Sequence, residues 1–223
     1  MKTEIKAKPD LTVIDEKEIR HILEPGEVGA VLELTVRDKD GKVTEQRVLK
    51  SKSFVRQFLE LLWVIAYQIS GTAPQSIRDT GNTLRNVYSH AESFGCNAGA
   101  GITSFGPVVG TDDGTLVPLN IDNYRLGNII LHDAAPPTAG QLQYGAVTFG
   151  APASDATTSQ FTITRNFANA SGGAITVNEI GLYVIGYDGS NRYFMTIRDV
   201  IGGGIPVPNG QTLTVNYRLQ AVI

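Results

Sequence analysis

Apolar and polar residues alternate along residues 30–38 (AVLELTVRD) with the two-residue period of a strand that buries one face. Residues 42–50 (KVTEQRVLK) follow after Asp40-Gly41, a dipeptide that tolerates positive φ, so the two segments read as a β-hairpin. The period then changes. Residues 54–69 (FVRQFLELLWVIAYQI) read as a helix, with Ser53 placed to cap its start and Gly71 and Pro74 ending it. Its second half is apolar on nearly every face, which predicts burial against the body of the protein or against a partner chain. The unbroken apolar run covers only residues 61–67, after Arg56, Gln57 and Glu60, whereas a spanning helix needs about 20 mostly apolar residues. No membrane span is expected.

No helical period persists beyond residue 71. Residues 72–114 are rich in Gly, Ser, Asn and Thr, with one strand expected over 102–109. Turns are expected at Asp113-Gly114 and Asp122-Asn123, a short apolar piece at 126–131, and a loop at 134–140 (AAPPTAG). Five strands are then expected over 141–149, 160–167, 174–185, 192–200 and 211–222. Their separators, 150–159, 169–173, 186–191 and 202–210, carry Gly, Pro, Asn, Asp or Ser. Short strands at this spacing without intervening helices predict a mainly β protein, an antiparallel β-sandwich or jelly-roll-like domain. The N-terminal β-hairpin and one buried α-helix complete that fold. Phe161, Ile163, Arg165 and Phe167 share one strand face, and Leu213, Val215 and Tyr217 alternate with Thr212, Thr214 and Asn216 as in a half-wet outer strand. Phe161, Ile163, Ile180, Leu182 and Leu213 are the expected sandwich core.

Charge divides the 223 residues unevenly. Residues 1–70 carry 12 basic and 12 acidic residues, residues 71–223 carry 7 and 10, and every lysine lies at or before Lys52. Glycine runs the other way, with 3 before position 71 and 21 after it. We therefore divide the chain into a charged arm, hairpin and apolar helix (1–70), read as an assembly element, and a Gly/Thr/Asn-rich sandwich (71–223). A net charge of −3 argues against nucleic acid as a partner, because phosphate neutralisation needs a basic surface. Cys96 is the single cysteine, so no internal disulfide or multi-thiolate zinc site is expected. No apolar run follows Met1, and no secretory leader is expected; Pro9, Pro25 and Gly26 interrupt the apolar pieces of the arm.

Candidate chemistry is sparse. His21, His90 and His132 fall in no metal or triad spacing, and no GxSxG elbow supplies a nucleophile. Gly99-Ala100-Gly101 lacks the helix and spacing of a phosphate loop, and reads as a turn. Asp38-Lys-Asp-Gly41 and Asp112-Asp113-Gly114 lack the remaining ligands of a calcium loop, and also read as turns. Cys96 reads as a small buried residue. Tyr183, Tyr187, Tyr193 and Phe194 surround one hairpin and read as packed rings in preference to a sugar platform. Asn169-Ala-Ser171 has the spacing of a glycosylation acceptor. Glu179 beside Gly181 predicts a bulge or close backbone approach, with Glu179 paired to Arg165 or Arg198 in a structural role. No catalytic, cofactor or metal residues are expected.

The linked series Phe161-Thr-Ile-Thr-Arg-Asn-Phe, Asn169-Ala-Ser-Gly-Gly and Ile175-Thr-Val-Asn-Glu-Ile-Gly-Leu-Tyr continues in Thr196-Ile-Arg-Asp-Val and Val207-Pro-Asn-Gly-Gln-Thr-Leu-Thr-Val-Asn-Tyr. It resembles virion structural proteins of tailed bacteriophages, of the tail, fibre or capsid-decorating kind. Val108-Val-Gly-Thr and Asn123-Tyr-Arg-Leu are similar to the segment that precedes the sandwich there, so the resemblance covers roughly residues 100–223. It implies a non-enzymatic structural protein, assembled in the host cytoplasm into the virion, whose partners are copies of itself and other virion proteins. Docking would use the hairpin, the β edges and the helix, with Phe54, Phe58, Leu62 and Trp63 as the helix contact. The alternative is a receptor-binding module for host-surface glycan.

Overall fold

The structure, a computed structural model, describes residues 22–51 and 53–223 together with the backbone of Glu4–Lys6. His21 and most of the N-terminal arm lie outside the described residues. The protein is mainly β, with antiparallel sheets packed together as in a sandwich and, among the described residues, one helix.

The larger, eight-stranded sheet runs in the order β1 (Glu4–Lys6), β3 (Val43–Ser51), β2 (Val28–Arg37), β13 (Thr212–Val222), β10 (Thr158–Ala168), β7 (Gln143–Tyr144). Two further short pieces, β8 (Thr148–Phe149) and β9 (Ala153–Ser154), also pair with β10. The second sheet holds β12 (Asn191–Val207), β11 (Ile175–Tyr187) and β6 (Gly106–Gly110). A separate hairpin joins β4 (Gln75–Arg78) to β5 (Leu84–Val87), and α1 spans Arg56–Ala66. The hairpin β2–β3, N-terminal to the charge boundary near residue 70, is built into the larger sheet, because β2 pairs with β13 over ten positions.

Alternation decides which face is dry. Leu32, Leu34 and Val36 of β2 register with Tyr217, Val215 and Leu213 of β13, and these with Ile163, Arg165 and Phe167 of β10. All nine are buried. They pack on Val177, Ile180, Leu182, Ile197 and Ile205 of the second sheet. Glu179 is fully buried with them. Of the expected core, only Phe161 is partly exposed. It points inward by parity, but lies over open space between α1 and the strand ends.

Several expectations are corrected. β13 is a central strand between β2 and β10, not an outer one; its Thr212, Thr214 and Asn216 line a wet face, where Thr164 and Asn216 are hydrogen-bonded at 2.8 Å. The expected loop over 202–210 begins inside β12. Residues 201–204 bulge opposite Asn178, the ladder resumes at Val177–Ile205, and Arg47 of β3 donates to Gly202 O at 3.1 Å. Gly204 sits at φ +59°, and a Cβ there would lie 2.1 Å from Asn178 Oδ1, so the return into register requires glycine. The strand expected over 141–149 is two short pieces, and the one over 102–109 narrows to β6. The β4–β5 hairpin was not foreseen. Its turn carries Asn82 at φ 65°, and Asp79 accepts from Thr83 N–H and pairs with Arg85 at 2.6 Å.

Other expectations hold. The β2–β3 turn places Gly41 at φ +80°, and Asp38 Oδ1 accepts from the N–H groups of Asp40 and Lys42. Gly181 is a close approach, with a would-be Cβ 2.8 Å from the Tyr183 ring, and register shifts occur on both sides of it in β11. Glu179 pairs with Arg198 and not Arg165.

Candidate functional site

Helix α1 is shorter than its apolar pattern, and Ser53 does not cap it. The residues before it are extended against the edge of β12: Val55 N–H donates to Thr196 O, Arg198 N–H donates to Ser53 O, and Phe54 bridges Ile197. Val55 occupies the N-cap position without a side-chain hydrogen bond. This segment covers one edge of the three-stranded sheet. Residues 128–130 cover the other, where Thr111 and Ile130 N–H bond to Asn128 O and Val109 O.

The helix buries Gln57, Leu61 and Val64 against the body. Of the four expected contact residues, Phe54 and Phe58 are half-buried and tilt together at 4.6 Å between ring centroids. Leu62 and Trp63 point outward, 46% and 49% exposed, with Leu59 and Tyr67 more so at 65% and 71%. Burial against the body is thus confined to one face. The residues the sequence reading missed are Leu59 and Tyr67. Their only signal was an apolar character that every face of the segment shared.

Beside the Phe58 flank of α1 lie two adjoining cavities of about 380 and 510 Å³, which share the walls Phe58, Phe161 and Leu219. Phe94, Phe149 and Leu182 complete the inner one; Val28, Leu59 and Pro152 rim the outer one. Val28 and Phe149 are 85% and 48% exposed, so an apolar trench opens beside an apolar helix ridge. Cys96 lies in the inner wall. Burial pushes its thiol up to about 11, so it is a neutral wall residue at neutral pH.

The remaining candidates are structural. Arg198 donates through Nε to Glu179 Oε2 at 3.0 Å and through Nη2 to Asp112 Oδ2 at 3.0 Å, with Val117 O and Asn123 Oδ1 taking Nη1. Glu179 also accepts from Gly127 and Asn128 N–H, and Asp112 from Gly114, Leu116 and Val117 N–H. Burial would raise the Asp112 carboxyl, but these N–H groups and the Arg198 charge hold it below its ordinary value. His132 Nδ1 accepts from Tyr144 N–H, and His90 stacks on Tyr187 at 3.9 Å. Tyr183 and Phe194 are buried; Tyr187 and Tyr193 lie against Tyr88 and Phe105. The Asn169 amide donates to Gly173 O and Val207 O from a buried position, which removes it as a glycosylation acceptor. Gly99-Ala100-Gly101 forms a turn closed by Ile102 N–H onto Gly99 O, and Gly101 N–H donates to Tyr144 O.

Among the described residues, no group of three or more His, Cys, Asp or Glu side chains is placed to hold a metal ion, and no helix is long and apolar enough to cross a membrane. No protein-family model, curated protein or solved structure matches the chain.

Proposed function

We propose that the chain is a non-enzymatic structural protein of a tailed-phage virion, which assembles with copies of itself or on a capsid or tail lattice. The observation that carries this reading is the apolar helix ridge set beside the apolar trench on one side of the molecule. A ridge and groove on one subunit allow two copies to pack reciprocally about a two-fold axis, or successive copies to pack head to tail. Large exposed apolar patches mark such contacts, since an unpartnered one favours association. The covered edges of the three-stranded sheet direct this reading to α1 and away from strand pairing. The sequence resemblance over residues 100–223 supplies the virion context.

The test is the native mass of the purified chain at two concentrations, alongside the double variant Leu59→Glu/Leu62→Glu. The expected result is a defined oligomer or a growing polymer for the parent chain and a monomer for the variant, with an unchanged melting temperature. A parent chain that stays monomeric at high concentration, alone and with isolated phage particles, overturns the reading.

A further inference from the structure

The two chambers beside the Phe58 flank of α1 form one passage. They meet at Phe58, Phe161 and Leu219 and follow one another along β10, where Ser159 and Phe161 line the outer chamber and Phe161 and Ile163 the inner one. Residues 159–163 advance about 13 Å at the rise of a strand. The passage is therefore elongated along the strand, with the exposed Val28 and Leu59 at its outer mouth.

Its walls offer almost nothing to a polar ligand. Among the described residues, no Asp, Glu, Lys, Arg or His side chain lines either chamber. In the inner chamber the Thr196 hydroxyl donates to Leu182 O at 3.0 Å, Ser93 Oγ accepts from His90 N–H at 3.2 Å, and the Cys96 thiol stays neutral. In the outer chamber Ser159 Oγ accepts from the Ser154 hydroxyl at 2.9 Å. Gln160 and Gln220 alternate with Phe161 and Leu219, so their side chains turn toward the other face of the sheet. A water held inside a protein needs about two to four polar partners. Walls whose polar groups are already bonded favour an apolar occupant, and interiors rarely leave voids larger than a water molecule.

One part of the wall is held under strain. Phe94 sits at φ 66°, a left-handed conformation that a bulky residue rarely adopts. Phe94 N–H donates to Ile185 O at 2.8 Å and Ile185 N–H to Gly95 O at 2.9 Å, which fixes the backbone there. The ring meets Phe58 edge-on at 6.0 Å and walls the inner chamber. Strain of this kind collects at ligand clamps, where the surroundings keep it in place.

Shape and polarity together select the occupant. A charged ligand would find no counter-charge, and a sugar would bury hydroxyls without partners. A compact aromatic molecule would fill one chamber and leave the other empty. A single alkyl chain fills both and keeps its polar head in water at the mouth. We propose that this passage binds one alkyl chain, as carried by a fatty acid or a single-chain lipid, with the chain end against Leu182 and Val184 and the head beside Val28 and Leu59. This goes beyond the assembly reading and stands without it, because Leu62, Trp63 and Tyr67 line neither chamber.

The test uses the parent chain and the variant Leu62→Glu/Tyr67→Glu, so that binding is read whether or not the parent associates. Octanoate, decanoate and dodecanoate are titrated by calorimetry below their micellar concentrations. Dodecanoate is expected to bind both proteins, one per chain, near about 10 μM. Each pair of methylenes removed is expected to weaken binding about tenfold. Decyltrimethylammonium is expected to bind about as tightly as decanoate, since no charge lines the passage. Val184→Phe, which puts a ring into the inner chamber, is expected to weaken dodecanoate at least about tenfold while the melting temperature holds or rises. Cys96, the single cysteine, reports on the inner wall without any substitution. Dodecanoate at about ten times its Kd is expected to slow Cys96 modification by methyl methanethiosulfonate about tenfold, in proportion to the vacant fraction. Absence of saturable dodecanoate binding to both proteins overturns the proposal. So does binding that ignores chain length, requires an anionic head, survives Val184→Phe unchanged or leaves Cys96 modification unaffected. A monomeric parent chain that binds dodecanoate keeps the site while the assembly reading falls.

Discussion

Arg165 and Arg198 are both fully buried, one in each sheet, and each gathers a stretch of irregular chain by different means. Arg165 has no carboxylate partner among its hydrogen bonds. It donates to the carbonyls of Gly145, Phe105, Pro107, Gly99 and Ile102, and its guanidinium lies over the Tyr144 ring at 4.8 Å. Burial pulls its pKa down to about 10, and it stays charged at neutral pH. Arg198 instead neutralises Glu179 and Asp112, whose remaining lone pairs are filled by backbone N–H groups of residues 114–128. The first region binds a cation with carbonyl dipoles. The second binds two anions and a cation in one network. Both solve the same problem, which is where the hydrogen bonds of non-repetitive backbone go once it is buried. They should fail differently.

Removing the arginines separates the two solutions most strongly. Arg198→Met leaves two carboxylates in the interior and should lower stability by about 3–5 kcal/mol. Arg165→Met leaves unpaired carbonyls but no unpaired charge, and about 2–3 kcal/mol is expected. Chemical denaturation of the two variants measures both, and a larger loss at Arg165 would reverse the comparison. A smaller effect comes from Gly127→Ala. Its Cβ would sit 2.0 Å from Asp112 Oδ2, so the carboxylate must move, at a cost of about 1–3 kcal/mol; the same assay should show little coupling to Arg165→Met.

Acid should distinguish the regions with the least perturbation. Asp112 titrates below its ordinary 3.8 in the fold, so its contribution is fully present above that value and is lost as pH falls through 3.8 toward the folded value. Hydrogen exchange followed as the pH is lowered stepwise below 3.8, against a pH 6 reference corrected for intrinsic rates, should show protection lost first at Leu116 and Val117. Gly101 and Gly145, around Arg165, should keep theirs. Equal loss in both would mean that Asp112 is not the group that responds.

Legibility in the sequence followed the range of the interaction. The β2–β3 hairpin was readable because alternation and an Asp-Gly turn are local. Glu179 beside Gly181 announced a tight approach within a strand, and its partner came down to two arginines. The β4–β5 hairpin was missed because its short strands, QSIR and LRNV, give too few alternations to stand out from a polar region. The triple glycine at 202–204 has the composition of a loop, yet opposite strand β11 and Arg47 draw it into a bulge. The helix was legible as a helix, but its orientation was not. Leu59, Leu61, Leu62 and Trp63 are equally suited to burial, and the face that turned inward includes a glutamine.

The sequence by itself determined that this chain is mainly β, where its hairpin and long strands lie, and which face of each strand is apolar. These are consequences of a two-residue period that any partner sheet would satisfy. Only the tertiary structure decided which arginine neutralises Glu179, which helix face is left outside, and that Gln57 is buried. Those outcomes depend on groups far apart in sequence meeting at hydrogen-bond distance, and no local pattern encodes the distance between them.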